Sequence, residues 1–311
     1  MFRCKLGLRL EREHVTGSAR ILRASLATES PCIAVYSLAK VSPAGCRRSQ
    51  SRSQSQFAAK HFASAALRRT LCLDMTFRKI LAWGVHLYTS LGLVIAAMIA
   101  VLLIRGGDPA YRLSFLLMVI ATIIDTTDGW LARKAEVRKY APSFDGRRLD
   151  DLIDFNTYTT LPLLLIWRAD LIGTAYQYWL LVPLLASVYG FCQVNIKTDD
   201  HYFLGFPSYW NIVAFYLYLF HLPHETALII IVVLALLTFV PSKYLYTTHG
   251  GKLSTSTNIL GSLWAILLAW ILYTWSESTQ MLLYASMIFP AYYFVVSWWI
   301  SIRDWKTVRS M

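Results

Sequence analysis

Charged residues are scarce, at 15% of the chain against about 25% in an ordinary soluble domain, while hydrophobic residues make up 56%. That imbalance excludes a disordered chain and an ordinary soluble enzyme, and leaves a polytopic membrane protein. Cysteine is also sparse. Four of the five (Cys4, Cys32, Cys46 and Cys72) fall within the first 74 residues without metal-ligand spacing, and Cys192 sits in an apolar run. An odd, scattered set excludes a disulfide framework. Residues 1–74 contain no apolar stretch long enough to cross a bilayer and no apolar core followed by a small-residue cleavage site, which argues against a secretory signal.

What charge there is divides unevenly. Residues 1–74 carry 13 Lys/Arg and 4 Asp/Glu, a net of +9, whereas residues 75–311 carry 17 and 14, a net of +3. The overall +12 is therefore not the footprint of a nucleic-acid-binding surface. The first segment holds ten Arg and ten Ser and runs through Arg47, Arg48 and Arg52 between serines and glutamines. Its composition suits an organelle transit peptide. It suits equally an upstream extension ahead of a true start at Met75, where Arg78 and Lys79 lead into the first apolar run. The expected organisation is thus a basic, disordered Arg/Ser-rich extension over 1–74 and a membrane domain over 75–311.

From Met75 onward, apolar runs near 80–104, 110–132, 149–168, 173–195, 207–222, 225–242, 258–275 and 280–302 predict about eight transmembrane helices. Backbone groups in lipid must be paired within each segment, so the predicted fold class is an all-α, polytopic helical bundle. With the N-terminus cytoplasmic, fourteen Lys/Arg fall on the cytoplasmic side and only Arg105, Arg112 and Arg168 on the other. That bias predicts an integral membrane protein with both termini in the cytoplasm. Trp83, Tyr178, Trp179, Trp298 and Trp299 lie near span ends, as interface anchors do.

The informative stretch is 125–154. Asp125 and Asp128 are three residues apart and share a helix face, which Gly129 and Ala132 continue. Gly146, Asp150 and Asp154 are spaced four and four, again on one face. Two helix ends thus each present a pair of carboxylates beside small residues. Carboxylates inside spans are costly and mark a site. Four of them in close quarters repel, and a divalent cation resolves the conflict; hard oxygen ligands suit Mg²⁺ or Mn²⁺. Such ions bridge phosphate oxygens, so a phosphorylated substrate is implied, with Arg133, Arg147 and Arg148 as phosphate or lipid-headgroup contacts. The bland alternative for any one aspartate is a solvated helix-end carboxylate.

The order Asp125, Asp128, Gly129, Ala132, Arg133, then Gly146, Asp150, Asp154, resembles the motif of the CDP-alcohol phosphatidyltransferase family. The family's usual eight residues between Arg and the second Gly are twelve here, residues 134–145. That departure, with Pro142, Phe144 and Asp151, resembles the bacterial phosphatidylcholine synthase branch. So do Ala82 to Leu87 and Phe203 to Ser208. The resemblance implies that Asp125, Asp128 and Asp150 hold the metal, that Asp154 assists them and is the general base, and that Gly129, Ala132, Arg133 and Gly146 line a CDP pocket. It further implies transfer from CDP-diacylglycerol to choline with release of CMP, Mn²⁺ (or Mg²⁺) as cofactor, a lipid environment, and a homodimer.

Other acceptors, such as serine or a phosphorylated polyol, stay open at this point. An ion-coupled transporter is a different class, but no internal repeat is evident and both carboxylate pairs fall at one membrane face. A quaternary ammonium is held by aromatic faces; the candidates near the cytoplasmic ends are Trp130, Tyr158, Tyr189, Tyr209 and Trp210, with packing or interface anchoring the expected role of each one taken singly. Asn156, Asn211 and His86 are expected to form hydrogen bonds between helices, with a proton-relay or substrate role as the alternative for His86.

Overall fold

The computed structural model describes residues 51–193, 198, 202–245, 254–274 and 280–309. It divides into two compact units, Met1–Phe77 and Arg78–Met311. Most of the Arg/Ser-rich segment lies outside the described residues; from Ser51 it is helical.

Helix α1 (Ser51–Arg105) is followed by α2 (Asp108–Lys134). The turn between them is made by Gly106 and Gly107, both at positive φ, and α2 opens with Asp108 and Pro109 and closes with Arg133 and Lys134. Acid at the start and base at the end oppose the helix dipole, and proline near the start sacrifices no internal hydrogen bond. A single turn, α3 (Val137–Tyr140), is entered through Glu136 in the left-handed region. It buries Val137 and Tyr140 against Ala82 and Val85 of α1. Part of the long spacer between the two halves of the motif is therefore a folded turn seated on α1.

Helix α4 (Gly146–Asp154) starts at an Asp145 cap whose Oδ1 accepts from Arg148 N at 3.1 Å. It runs into a π-helical stretch, Phe155–Thr160, and then α5 (Leu161–Arg168). The Leu161 N–H reaches back to Asn156 O, and Pro162, which has no N–H to give, follows at once. The predicted span at 149–168 is thus helical throughout but widened in its middle. A 3₁₀ stretch, Thr174–Leu180, leads into α6 (Leu181–Cys192). Next come β1 (Tyr202–Leu204), α7 (Trp210–Phe220), α8 (His224–Leu237), β2 (Lys243–Leu245), α9 (Ser254–Thr274), α10 (Gln280–Ser286) and α11 (Ile288–Arg309).

Among the described residues, four helices are long and apolar enough to cross a membrane: Leu73–Arg105, Asp108–Lys134, Thr255–Thr274 and Gln280–Trp305. Their most apolar windows are only 17–28% buried, so they show large apolar faces that suit lipid. The chain is an all-α membrane protein. The other four predicted spans are interrupted or short. Helix α7 has 11 residues and α8 has 14, about 16 and 21 Å at 1.5 Å per residue, less than the ~30 Å of hydrocarbon.

Two features organise the helix ends. Arg168 donates through Nε to Leu103 O at 3.1 Å, and Arg112 through Nε to Leu272 O at 3.0 Å, so each satisfies carbonyls at the end of another helix. Tyr111 OH donates to Arg168 O at 2.8 Å, and Tyr218 OH donates to the Asp108 carboxylate. The last turns of α1, α5, α7 and α9 thereby meet the first turn of α2. Elsewhere β1 pairs antiparallel with β2, Phe203 opposite Tyr244. The outer edge of β2 is covered by α11: Lys243 N donates to Ser301 Oγ at 2.7 Å, Leu245 N donates to Ser297 Oγ at 3.3 Å, and Lys243 Nζ pairs with Asp304 at 2.7 Å. This small sheet has no counterpart in the sequence-based expectation.

Gly205, just after β1, stands at φ +81°, and a Cβ there would strike the backbone carbonyl of Thr238. Gly205→Ala is expected to destabilise the protein by at least about 1–3 kcal/mol. A lower apparent melting temperature in detergent is the measurement that checks it.

Candidate metal centre

The site is built where the last turns of α2 meet α4 and the π-helical stretch after it. The three-residue spacing on α2 and the four-residue spacing on α4 turn the carboxylates of Asp125, Asp150 and Asp154 toward one point. One oxygen from each lies within 4.8 Å of the others. All three side chains are half-buried. A cavity of about 10 Å³, room for one small species, opens among them and is also lined by Thr89, Gly92, Ile153 and Thr157. The donors are all carboxylate oxygens, converging and partly shielded from water, and they fit a hard divalent cation.

Asp128 also lines this cavity, beside the trio. It is buried, and its Oδ2 accepts from Thr89 Oγ1 of α1 at 2.8 Å. It also lies within hydrogen-bonding reach of the Asp150 carboxyl, which ties it to the cluster's edge. Asp125 is steadied from the other side: Tyr158 OH donates to its Oδ2 at 2.7 Å. Tyr158 falls inside the π-helical stretch, four residues after Asp154. The widened turn therefore starts just after one cluster carboxylate and carries the hydroxyl that orients another. A tyrosine four residues beyond the last motif aspartate is the sequence mark of this role, which the sequence expectations do not assign to it.

The small and basic motif residues lie around the cluster. Arg133 folds back over Gly129, its guanidinium nitrogen 3.5 Å from where a Gly129 Cβ would stand. Ala132 is half-buried against the packing of α3 on α1. Gly146 forms the first residue of α4, and Arg147 and Arg148 beside it are exposed. The one ion pair recorded for Arg148, with Asp145 at 3.9 Å, is between exposed groups and contributes little. The neighbouring loop is fastened by Glu136, which pairs with Arg78 at 3.4 Å and Lys139 at 3.1 Å. The hydrogen bond it donates to Glu136 holds the Lys139 ammonium above its usual range.

Several sequence expectations change here. Asn156 Nδ2 donates within its own helix to Leu152 O, and Asn211 Oδ1 accepts from Ile212 N, so neither links two helices. Of the aromatic candidates, Trp210 is wholly buried and donates to Ser187 Oγ, and Tyr158 is engaged with Asp125. Tyr189 packs on Phe239 with centroids 4.9 Å apart, Lys134 lies 4.8 Å over Trp130, and Tyr209 faces Tyr293. These contacts agree with the packing role expected of each. His86 makes no interhelical hydrogen bond; its Nε2 is buried without a partner among the described residues.

Removing the hydroxyl that orients Asp125 should cost about 10–100-fold in divalent-ion affinity, the usual scale for a supporting hydrogen bond at a metal site. Tyr158→Phe is thus expected to need that much more Mn²⁺ for half-maximal thermal stabilisation; an unchanged requirement would contradict the role.

No protein-family model matches the chain. Individual proteins do. The phosphatidylcholine synthase of Pseudomonas aeruginosa is 34% identical over 235 residues, which cover 75% of this chain and 98% of that protein. The phosphatidylcholine synthase of Borreliella burgdorferi is 34% identical over 179 residues, 57% of this chain and 75% of that protein. That of Legionella bozemanae is 36% identical over 156 residues, 50% and 72%. With nearly the whole length of one such relative matched at this identity, the chain belongs to the family of bacterial phosphatidylcholine synthases.

Proposed function

We propose that the protein is a membrane phosphatidyltransferase that makes phosphatidylcholine from CDP-diacylglycerol and choline and releases CMP. The observation that carries this reading beyond family membership is the convergence of Asp125, Asp150 and Asp154 on one cation-sized cavity. In the proposed reaction the choline hydroxyl oxygen forms a bond to the phosphorus that bears diacylglycerol. The bond from that phosphorus to the CMP oxygen breaks, and the hydroxyl proton passes to a carboxylate, for which Asp154 is the candidate. A divalent cation, Mn²⁺ or Mg²⁺, would supply charge neutralisation for the diphosphate and for CMP as it leaves.

The chain's own residues divide the remaining work. Asp125, Asp150 and Asp154, with Asp128 at their edge, would hold the cation. Gly129, Ala132, Arg133 and Gly146 would line the cytidine-diphosphate pocket. Arg147 and Arg148, exposed beside the first turn of α4, would meet phosphate oxygens. The acyl tails would stay in lipid against the apolar helix faces.

The proposed topology is eight crossings, with both termini and the carboxylates on the cytoplasmic side of an inner membrane. The meeting of the last turns of α1, α5, α7 and α9 at one end supports it, because alternate crossings end on the same side. Residues 75–311 would form the catalytic domain, working as a homodimer, and residues 1–74 would be an extension outside it.

CMP release from CDP-diacylglycerol by purified protein is expected to require both a divalent cation and choline. Serine, glycerol phosphate and inositol phosphate should not replace choline; transfer to one of them in its place would overturn the acceptor. Asp150→Asn and Asp154→Asn are each expected to lower transfer by at least about 10²-fold while the protein still inserts, the range lost when one acid–base partner goes. Near-normal rates in either variant would rule out the assignment.

A further inference from the structure

Gly146 and His86 occupy the same space. A Cβ on Gly146 would lie 2.6 Å from His86 Cε1 and 3.0 Å from Nδ1. The backbone there does not demand glycine, since Gly146 is outside the positive-φ set of Gly106, Gly107, Gly173 and Gly205. The imidazole is not free to swing aside either. It is 6% exposed, with the rings of Phe144 and Trp83 at 4.5 and 5.8 Å and Nε2 without a hydrogen-bond partner among the described residues. Glycine is required at 146 because histidine fills the position its side chain would take.

A second contact reverses the sizes. A Cβ on Gly92 of α1 would lie 2.8 Å from Ile153 Cγ2 of α4. Large residue meets glycine at both points, once in each direction. His86 to Gly92 is six residues and Gly146 to Ile153 is seven, roughly 9 and 10.5 Å along parallel helices, so the contacts fall in register. Between them lie Thr89, which holds Asp128, and Asp150, which belongs to the trio.

We infer that His86 is a positioning residue: with the reciprocal Gly92 and Ile153 contact, its ring seats α4 on α1 and so fixes where Asp150 and Asp154 stand relative to Asp125. The inference rests on the cation site of the proposed function. It accounts for an imidazole that is buried, closely packed and without a hydrogen-bonding duty at Nε2. It also gives Gly146 a role in shaping the metal centre as well as the nucleotide pocket.

Reciprocal rescue tests it, read as the Mn²⁺ concentration giving half-maximal thermal stabilisation of the purified protein. Gly146→Ala is expected to raise that concentration about 10-fold or more. His86→Ala/Gly146→Ala should bring it back to within about threefold of wild type, because the two sites couple through one contact. The melting temperature without metal should stay low in the double variant, since part of the imidazole's volume is left empty. A merely structural role would restore neither quantity or both together. Gly92→Ala and Gly92→Ala/Ile153→Ala should repeat the pattern at the second contact. If Gly146→Ala does not fold alone, recovery of folded protein by adding His86→Ala is the same rescue. A wild type that Mn²⁺ does not stabilise would overturn the cation site itself. A wild type that responds, with the double variant no better than Gly146→Ala, would overturn this inference alone.

Discussion

Three carboxylates held within 4.8 Å of one another are the constraint on which the remaining structure depends. Two unit negative charges at that separation repel by roughly 3 kcal/mol at an effective dielectric of about 20. The chain must therefore hold α2 and α4 together against their own charges. The supports are visible around them. Thr89 and Tyr158 each donate a hydroxyl to an aspartate of α2, α3 braces the end of α2 against α1, and two glycine contacts seat α4 on α1. None of these groups is charged, so none competes with a cation for the carboxylates. Keeping the acids convergent in this way gives a group of carboxylates that could hold a cation.

The same economy of charge runs through the membrane region. Far from the carboxylates, Arg112 and Arg168 answer the carbonyls of helix ends, and Asp108 accepts from a tyrosine. A basic group at the end of a helix opposes the dipole and satisfies acceptors that lipid cannot. These contacts also anchor α1, α2, α5 and α9 at the end away from the site, so the carboxylate end is set by packing along the helices' length. The π-helical turn is part of this design. It lets the run from Gly146 to Arg168 pass Pro162 while turning Tyr158 onto Asp125.

Much of the site was legible in the sequence because helix spacing is strict. Intervals of three and four dictate shared faces, and Asp150 and Asp154 lie on one face as their spacing requires; their meeting with Asp125 comes from the packing of two helices. What spacing could not convey was depth. Asp128 lines the same cavity as Asp125, but one of its oxygens is engaged by Thr89, a residue 39 positions earlier on another helix. Partners across helices are also invisible to spacing: nothing in the sequence says that the Tyr158 hydroxyl reaches Asp125. The β1–β2 pair was missed because three-residue strands carry no periodicity, and its edge is satisfied by Ser297 and Ser301 of a distant helix. Hydropathy marked the apolar runs well, but it could not foresee the π turn or the shortness of α7 and α8.

The central claim is that Asp125, Asp150 and Asp154 form one divalent-cation site. Titrating metal-stripped, detergent-purified protein with Mn²⁺, and following free Mn²⁺ by its electron paramagnetic resonance signal, tests that most directly. Saturable binding that disappears when the three aspartates are replaced together by alanine, in a protein that still inserts and folds, is the expected result. Binding that survives the triple replacement, or a wild-type protein that binds no Mn²⁺, would contradict it.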